Sequence, residues 1–560
     1  MTGQTPAAQT FAEILWTRRD DAQGGIVFDD KNWNWAEVVQ ESLRRAALLE
    51  RWRRGGEVLH IAVFLENTPD YVFWLGAAAF TGDVIVGVNP TRRGEQLAHD
   101  IRHTDCSVLV VEDATAHLLE GLDVGIPAER VLHVESHDHA GLLASVEPLR
   151  VPAEVAPERA FLLLFSSGST GAPKAVICSQ GRLGALAVAL ADRMRIQRAS
   201  VTYLCMPLFH GNAIMTNLAP AIRSGATVVL ARRFSASGFI RDVHRHGVTY
   251  WNYVGRALAY VLATAEQDTD RVNTLELAYG TEASAADVAR FSERFDCEVM
   301  EGYGASEGGL RINRTPDTPA GSLGLPVGPR PLAIVDEETG RERAIVRFDA
   351  HGVPTNLDQA VGQMVVRGGA AAFEGYYKNP EATADRVRGE DFWTGDLAYR
   401  DAAGFVYFAG RTADWMRVDG ENLAAAPVER LINRHPAISQ CVVYSVPDVQ
   451  TGDQVMATVE LVSGASIDPV GFSEFLDAQQ DMGTKWRPRY VRISEELPVT
   501  GNGKVARSDL RIEGWHTDDT VWEWARGEGY RVLEDERRRE IDAELVRHGR
   551  ADLIPTTVAR

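Results

Sequence analysis

The sequence predicts an α/β protein: a large N-terminal body of mostly parallel βα sheets that includes an antiparallel segment, followed by a small α+β C-terminal domain. Three features of the 560-residue chain lead there. Short β-branched runs alternate with longer amphipathic stretches through the first half. Near Val361 the rhythm changes to short strands and turns, and after Arg411 it changes again to a compact mixture of strands and helices. Long alternation of strand and helix implies parallel pairing, because a parallel crossover needs a connection long enough to hold a helix.

Taken in order, Trp35–Leu49 has apolar residues at helical spacing and predicts a helix, and the apolar run His60–Leu65 predicts a strand. Tyr71–Val88 is the longest apolar stretch, but Gly82 and Asp83 break it. A spanning helix needs about 20 apolar residues, so this stretch predicts a buried helix followed by a buried strand at Val84–Val88. A helix at Glu95–His103 and strands at Val108–Glu112, Phe161–Phe165, Thr227–Ala231 and Thr274–Ala278 continue the βα pattern. Val361–Val366 and Gly404–Phe408 predict the antiparallel segment. Beyond it follow a strand at Trp415–Val418, a helix at Ala426–Arg434, strands at Ile438–Val446 and Val455–Leu461, and a helix at Pro469–Gln480. The main boundary falls near 412, giving a body of residues 1–412 and a C-terminal domain of 413–560. The tail 515–560 has no catalytic pattern. Within it Asp535–His548 predicts a helix with Ile541 and Leu545 on one face and Gly549 as its stop, docked on the small domain.

Composition narrows the function. Hydrophobic residues are 45% and charged residues 24%, which excludes disordered, collagen-like and coiled-coil chains. The net charge of −20, with no local basic patch, repels phosphate backbones and excludes a nucleic-acid partner. Five dispersed cysteines (106, 178, 205, 297, 441) with no CxxC pair fit a reducing compartment rather than disulfides or zinc. Met1–Asp20 lacks a basic-then-apolar leader pattern, so the expected location is the cytoplasm, with no transmembrane segment and room for peripheral membrane contact. Oligomeric state is not legible. Of the 58 basic residues only five are lysine, at 31, 174, 378, 485 and 504. A compact ammonium sits among phosphate oxygens as a point charge, which a planar guanidinium does not do, so the rare lysines mark places to examine.

Two glycine-rich segments stand out. Ser166-Ser167-Gly168-Ser169-Thr170-Gly171-Ala172-Pro173-Lys174 follows an apolar strand, and its N–H groups and hydroxyls suit an anion, closed by a lysine. It is not a Walker A loop, because Pro173 precedes the lysine and Ala175 follows it. Glu301-Gly302-Tyr303-Gly304-Ala305-Ser306-Glu307-Gly308-Gly309 contains the string of a hydrolase nucleophile elbow, GxSxG. That motif requires a following helix, and Leu310–Ala320 is polar with two prolines, so the hydrolase reading fails. A carboxylate beside a phosphate loop points instead to a Mg²⁺ ligand. Phe392-Trp393-Thr394-Gly395-Asp396 and Gly410-Arg411 flank an expected strand pair, and Thr500-Gly501-Asn502-Gly503-Lys504 reads as a turn with a lysine at its tip.

In this order and spacing the four motifs resemble the adenylate-forming superfamily of acyl-CoA synthetases, peptide-synthetase adenylation domains and luciferases, over about residues 15–515. Pro173-Lys174-Ala175, Val248-Thr249-Tyr250-Trp251-Asn252-Tyr253-Val254-Gly255, Arg411-Thr412-Ala413-Asp414 and the Thr500–Lys504 turn resemble its fatty acid transport protein, or very-long-chain acyl-CoA synthetase, branch. The resemblance implies a mobile C-terminal domain and the substrates ATP, with Mg²⁺, a small-molecule carboxylic acid and coenzyme A. By similarity Ser166, Ser167, Gly168, Ser169, Thr170, Gly171 and Lys174 hold the β- and γ-phosphates. Ser306 binds phosphate and Glu307 the metal. Tyr303, with Gly304, lies against the adenine, and Gly280-Thr281-Glu282 lies along the adenine and acyl site. Asp396, assisted by Arg411, takes the ribose hydroxyls, and Lys504 bridges the acyl carboxylate and the α-phosphate. His210 matches the aromatic gate of the acyl pocket, which Tyr253, Gly255 and Arg256 also approach, and Gly420-Glu421-Asn422 matches the thioester-forming segment.

Two departures stand out. The hinge position, Asp or Lys in much of the family, is Ala413. Arg256 stands where the branch has Glu, and a buried arginine there needs an anion, supplied by a protein carboxylate or by a polar or acidic substrate. The expected function is an ATP-dependent, AMP-forming acyl-CoA synthetase acting on a hydrophobic, fatty or sterol-like acid. Its rival is a secondary-metabolism ligase that passes an aryl or small acid (nitrite included) to an amine. No carrier-protein module follows the small domain, which argues against an assembly line. Lys174, Glu307, Asp396, Arg411 and Lys504 together argue against a catalytically dead binding protein.

Overall fold

A computed structural model describes residues 9–166, 174–255, 257–281, 283, 285–315, 317–319, 321–350, 354–411, 415–418, 421–449, 452–479, 482, 486–500, 504–525 and 527–556. The chain forms two compact units. The first comprises Met1–Gly309 with Ala371–Asp385; the second comprises Leu310–Ala370, Arg386–Thr500 and Lys504–Arg560.

The first unit is built on two mostly parallel sheets, as the alternating pattern requires. In one, the order is Val131–His133, Val108–Val111, His60–Phe64, Val84–Gly87, Ala160–Ser166 and Lys174–Ser179, with only the last strand antiparallel. In the other, Glu298–Gly304, Leu277–Thr281, Tyr250–Val254, Val201–Leu204, Thr227–Leu230 and Gly25–Phe28 run parallel, and Lys31–Trp33 closes the edge antiparallel. The helix Pro69–Thr81 starts on a proline, buries every residue but Asp70, and ends at left-handed Gly82. Asp83, the charge that interrupts the apolar run, is fully buried and takes hydrogen bonds from Arg53 Nη2 at 2.7 Å and from the Leu59 N–H at 2.8 Å. Burial of a charge on these terms needs such partners.

One expected strand is displaced. The segment foreseen at Thr274–Ala278 runs from Leu277 to Thr281. The Leu275 N–H donates to Asn273 Oδ1 at 2.6 Å, a local turn that keeps the backbone out of the ladder. Pairing with Tyr250–Val254 and Glu298–Gly304 on either side then carries the strand through Gly280, against its weak strand propensity.

The second unit holds the antiparallel sheet of Leu332–Val335, Gly362–Val366, Asp391–Arg400 and Val387–Arg388, with Val406–Arg411 paired to Asp391–Arg400. It also holds the hairpin Trp415–Val418/Glu421–Ala424 and a sheet ordered Ile438–Pro447, Asp453–Leu461, Tyr490–Ser494, Thr520–Ala525, Gly529–Val532. The last two strands belong to the tail and were not foreseen. The tail helix forms at Asp535–Arg547, and Ile541 and Leu545 are fully buried with Tyr444, Tyr490 and Trp515, so the expected docking holds. Arg492, also buried, bonds Glu513 Oε2 at 2.7 Å and Asp519 Oδ2 at 2.6 Å, tying the tail to the sheet. Among the described residues no helix is long and apolar enough to cross a membrane.

Candidate active site

In the first unit, Ser166 and Lys174 face each other in the antiparallel ladder, so the Ser/Gly loop leaves and returns at one point of the sheet edge. Ser167, Gly168, Ser169, Thr170 and Gly171 lie outside the described residues. The Glu298–Gly304 strand ends at Tyr303 and Gly304, and the chain then turns, the Gly308 N–H donating to the Ala305 carbonyl at 2.9 Å. This turn carries Ser306 and Glu307. Arg182 donates to the Ser306 carbonyl and, at 3.1 Å, to the Ile177 carbonyl, which pins the turn to the Lys174–Ser179 strand.

Lys174 and Glu307 are brought to one side chain. The Tyr376 hydroxyl donates to Glu307 Oε1 at 2.9 Å, and the Lys174 ammonium lies 5.5 Å from the centre of the Tyr376 ring. Reading the sequence missed Tyr376. Its only signal was its neighbour Lys378, one of the five lysines, in an aromatic segment just before the helix that opens at Pro380.

Tyr253, Gly280 and Glu301 occupy one level of three adjacent parallel strands. The Tyr253 ring crosses Gly280, where a β-carbon would lie 2.3 Å from a ring carbon, and its hydroxyl donates to Glu301 Oε1 at 2.5 Å. Burial and the Glu301 carboxylate both push the Tyr253 hydroxyl far above its ordinary pKa, so it stays a donor. The Gly255 N–H donates to the Thr281 carbonyl at 2.9 Å, linking the ends of two of these strands. Glu282 and Arg256 lie outside the described residues. His210 packs its ring 4.4 Å from that of Phe209 and precedes a short helical turn, Gly211–Ala213, that runs into a π-turn at Ile214–Leu218. A buried amide chain braces this turn: Asn252 Nδ2 donates to Asn212 Oδ1, and Asn217 Nδ2 to Asn252 Oδ1, each at 2.7 Å.

In the second unit, Asp396 is paired with Arg411 across the ladder, and Asp396 is 8% exposed. The two motifs therefore lie inside the strand pair rather than flanking it, which corrects the expectation. Gly395 makes this arrangement: its φ of +75° is open to glycine, and a β-carbon there would collide with Arg386 Nη1. The Arg411 side chain and Ala413 lie outside the described residues. Lys504 sits at the foot of its turn, where the Thr500 N–H donates to the Lys504 carbonyl at 2.6 Å and Val499 bridges Val505.

Among the described residues no group of three or more His, Cys, Asp or Glu side chains could hold a metal ion. A single oriented carboxylate such as Glu307 fits Mg²⁺, which keeps most of its waters and binds through one or two carboxylates plus substrate phosphates.

Residues 17–377 match the family described as AMP-binding enzyme, and 427–504 the AMP-binding enzyme C-terminal domain. The steroid-22-oyl-CoA synthetase of Rhodococcus jostii (strain RHA1) is 48% identical over 547 residues, covering 97% of this chain and 98% of that protein. A medium/long-chain-fatty-acid–CoA ligase of Mycobacterium marinum is 41% identical over 517 residues, covering 92% and 98%. The ATP-bound structure of MatB from Rhodopseudomonas palustris shares the fold, with a TM-score of 0.79 at 20% identity over 90% of this chain and 98% of that one. The chain therefore belongs to the AMP-binding enzyme family and is an ATP-dependent, AMP-forming ligase.

Proposed function

We propose that this ligase activates a hydrophobic carboxylic acid, fatty or sterol-like, and delivers it to coenzyme A in the cytoplasm. The convergence of Lys174 and Glu307 on Tyr376 carries the reading: a fixed cation and a fixed carboxylate meet beside a Ser/Gly loop, an arrangement suited to Mg²⁺-bound phosphates. The names of the two relatives, one for a steroid-22-oyl and one for medium/long-chain fatty acids, support the class of acid.

In the first half-reaction a carboxylate oxygen bonds to the α-phosphorus as the bond to the bridging pyrophosphate oxygen breaks. In the second, the coenzyme A sulfur loses its proton and bonds to the acyl carbon, and AMP leaves. Ser166–Gly171 and Lys174 hold the β- and γ-phosphates, with Ser306 beside them. Bound Mg²⁺, on Glu307, would offset phosphate charge as pyrophosphate departs. Tyr303 and Gly304, with Gly280, Thr281 and Glu282, flank the adenine; Asp396 accepts from the ribose hydroxyls with Arg411 beside it. His210, Tyr253, Gly255 and Arg256 border the acyl group. Lys504 stabilises charge at the α-phosphate, a term best supplied by a preorganised cation. Residues 413–560 move as a domain about Ala413, withdrawing Lys504 before the thiol enters.

The test is acid-dependent AMP release from Mg-ATP across fatty, sterol-like, aryl and small inorganic acids, with and without coenzyme A, the products read by mass. A thioester of a fatty or sterol-like acid is expected. AMP release indifferent to coenzyme A, with the acyl group trapped by an amine, overturns the acceptor. Lys504→Ala should slow adenylation by about 100-fold or more while sparing thioester formation from supplied acyl-adenylate. An equal fall in both half-reactions would remove Lys504 from its role.

A further inference from the structure

Tyr376 is 4% exposed, and its backbone is fixed from three directions. Its N–H donates to Thr383 Oγ1 at 3.0 Å, it bridges Val176, and the next residue's N–H donates to the Ala175 carbonyl at 2.8 Å. The tyrosine is thus registered to the strand that Lys174 opens. Phe373 packs edge-on against its ring at 5.1 Å and 72°. On the other side, Arg182 already holds the backbone of the Ser306–Glu307 turn through the Ser306 carbonyl. The Tyr376–Glu307 bond is therefore not needed to place the turn; what it orients is the carboxylate.

We propose that Tyr376 is a positioning residue that sets the Lys174 ammonium and the Glu307 carboxylate at the spacing that Mg-ATP requires. The inference rests on the functional reading above and deepens it. A neutral hydroxyl donor orients a carboxylate without cancelling its charge, whereas a lysine or arginine in the same place would form an ion pair and weaken it toward a metal. The ring face attracts an ammonium through its quadrupole and leaves the N–H groups able to donate to phosphate. One side chain thus holds two opposite charges while discharging neither, and its rigid ring fixes the distance between them.

Three substitutions test this. Tyr376→Phe keeps the ring and loses the hydroxyl. It should raise the Mg²⁺ concentration for half-maximal acid-dependent ATP–pyrophosphate exchange by about tenfold, because a hydrogen bond to a charged group is lost. Tyr376→Leu removes the ring as well and should slow exchange further, while combined with Lys174→Ala it should add to that variant only the Mg²⁺ loss seen in Tyr376→Phe, since the ring acts through the lysine. Thioester formation from supplied acyl-adenylate involves no pyrophosphate, so its rate relative to exchange should rise in all three. Exchange and Mg²⁺ dependence unchanged in Tyr376→Phe would overturn the proposal, and so would an equal fall in both half-reactions, which marks a packing role only. Failure of the functional reading itself looks different: the wild-type protein would show no acid-dependent exchange, or Lys174→Ala would leave exchange intact.

Discussion

Arg492→Met isolates what the tail contributes to the second unit. The Arg492 side chain is 1% exposed, and its two carboxylate partners differ in setting: the Glu513 side chain is 7% exposed and that of Asp519 27%. Burial alone would lower the arginine's pKa, and the hydrogen bonds to Glu513 and Asp519 outweigh it, so the net shift is upward. Removing the cation takes from buried Glu513 its Arg492 partner, while Asp519 can turn toward water. Breaking a buried pair from one side costs about 3–5 kcal/mol, and the half-accessible Asp519 places the expectation near the lower end, about 3 kcal/mol. Glu513 ends the helix Arg507–Glu513 and Asp519 precedes the strand Thr520–Ala525, so the loss should be local to these elements. Hydrogen exchange read by mass on their peptides measures the opening free energy directly. Arg492→Met combined with Glu513→Leu removes the buried charge and should recover most of the loss. Protection in Arg492→Met within about 0.5 kcal/mol of wild type, or a double variant no better than the single one, would refute the reasoning.

Gly280→Ala sets a β-carbon against the Tyr253 ring and should lower stability by about 1–3 kcal/mol, visible as a lower urea midpoint; an unchanged midpoint would show that the ring yields freely. Burial lowers the pKa of His60 below its ordinary 6.5, so the unfolded chain binds the extra proton as pH falls through that value. Its stabilisation is full above pH 6.5 and declines below it, and His60→Gln should flatten part of that decline in thermal unfolding followed from about pH 7 to pH 5. Burial pushes the thiols of Cys106, Cys178, Cys205 and Cys297 up to about 12, and that of Cys441 well above its usual range. Native protein at neutral pH should therefore resist iodoacetamide, and all five cysteines should label after unfolding, counted by mass.

The strand–helix alternation made the two sheets of the first unit legible, because parallel strands buried on both faces advertise themselves as β-branched runs. Strand ends were less legible where a side chain competes with the ladder, as at Asn273, or where neighbouring strands recruit a glycine, as at Gly280. The tail strands Thr520–Ala525 and Gly529–Val532 escaped notice because alternating Trp, Glu and Tyr carry no continuous apolar run; only the sheet edge offered by Tyr490–Ser494 makes them strands. The candidate site was legible where a motif carried it and opaque where a partner comes from elsewhere in the chain. Glu307 stood out as the carboxylate beside a glycine-rich turn, but Tyr376 lies far along the sequence, and no local pattern links it to either Lys174 or Glu307.

The scarcity of lysine shows how far such a compositional signal reaches. Lys174 and Lys504 stand at the motifs, as a choice of point charge for phosphate would have it. Lys31 lies exposed on an edge strand, and Lys378 pairs with Asp105 Oδ1 at 2.6 Å on the surface, its backbone in the left-handed region at φ +49°. An exposed pair of that kind is worth about 1 kcal/mol or less, so arginine would serve Lys378 nearly as well. Rarity alone therefore does not separate a chemical lysine from an incidental one. What separates them is a second, independent constraint on the same residue. For Lys174 that constraint is its place opposite Ser166 at the mouth of a loop and above the ring of Tyr376. If Lys378→Arg left adenylation unchanged while Lys174→Arg lost most of it, with both proteins equally stable, the distinction would rest on the geometry of the ammonium; equal tolerance at both positions would show that charge alone suffices.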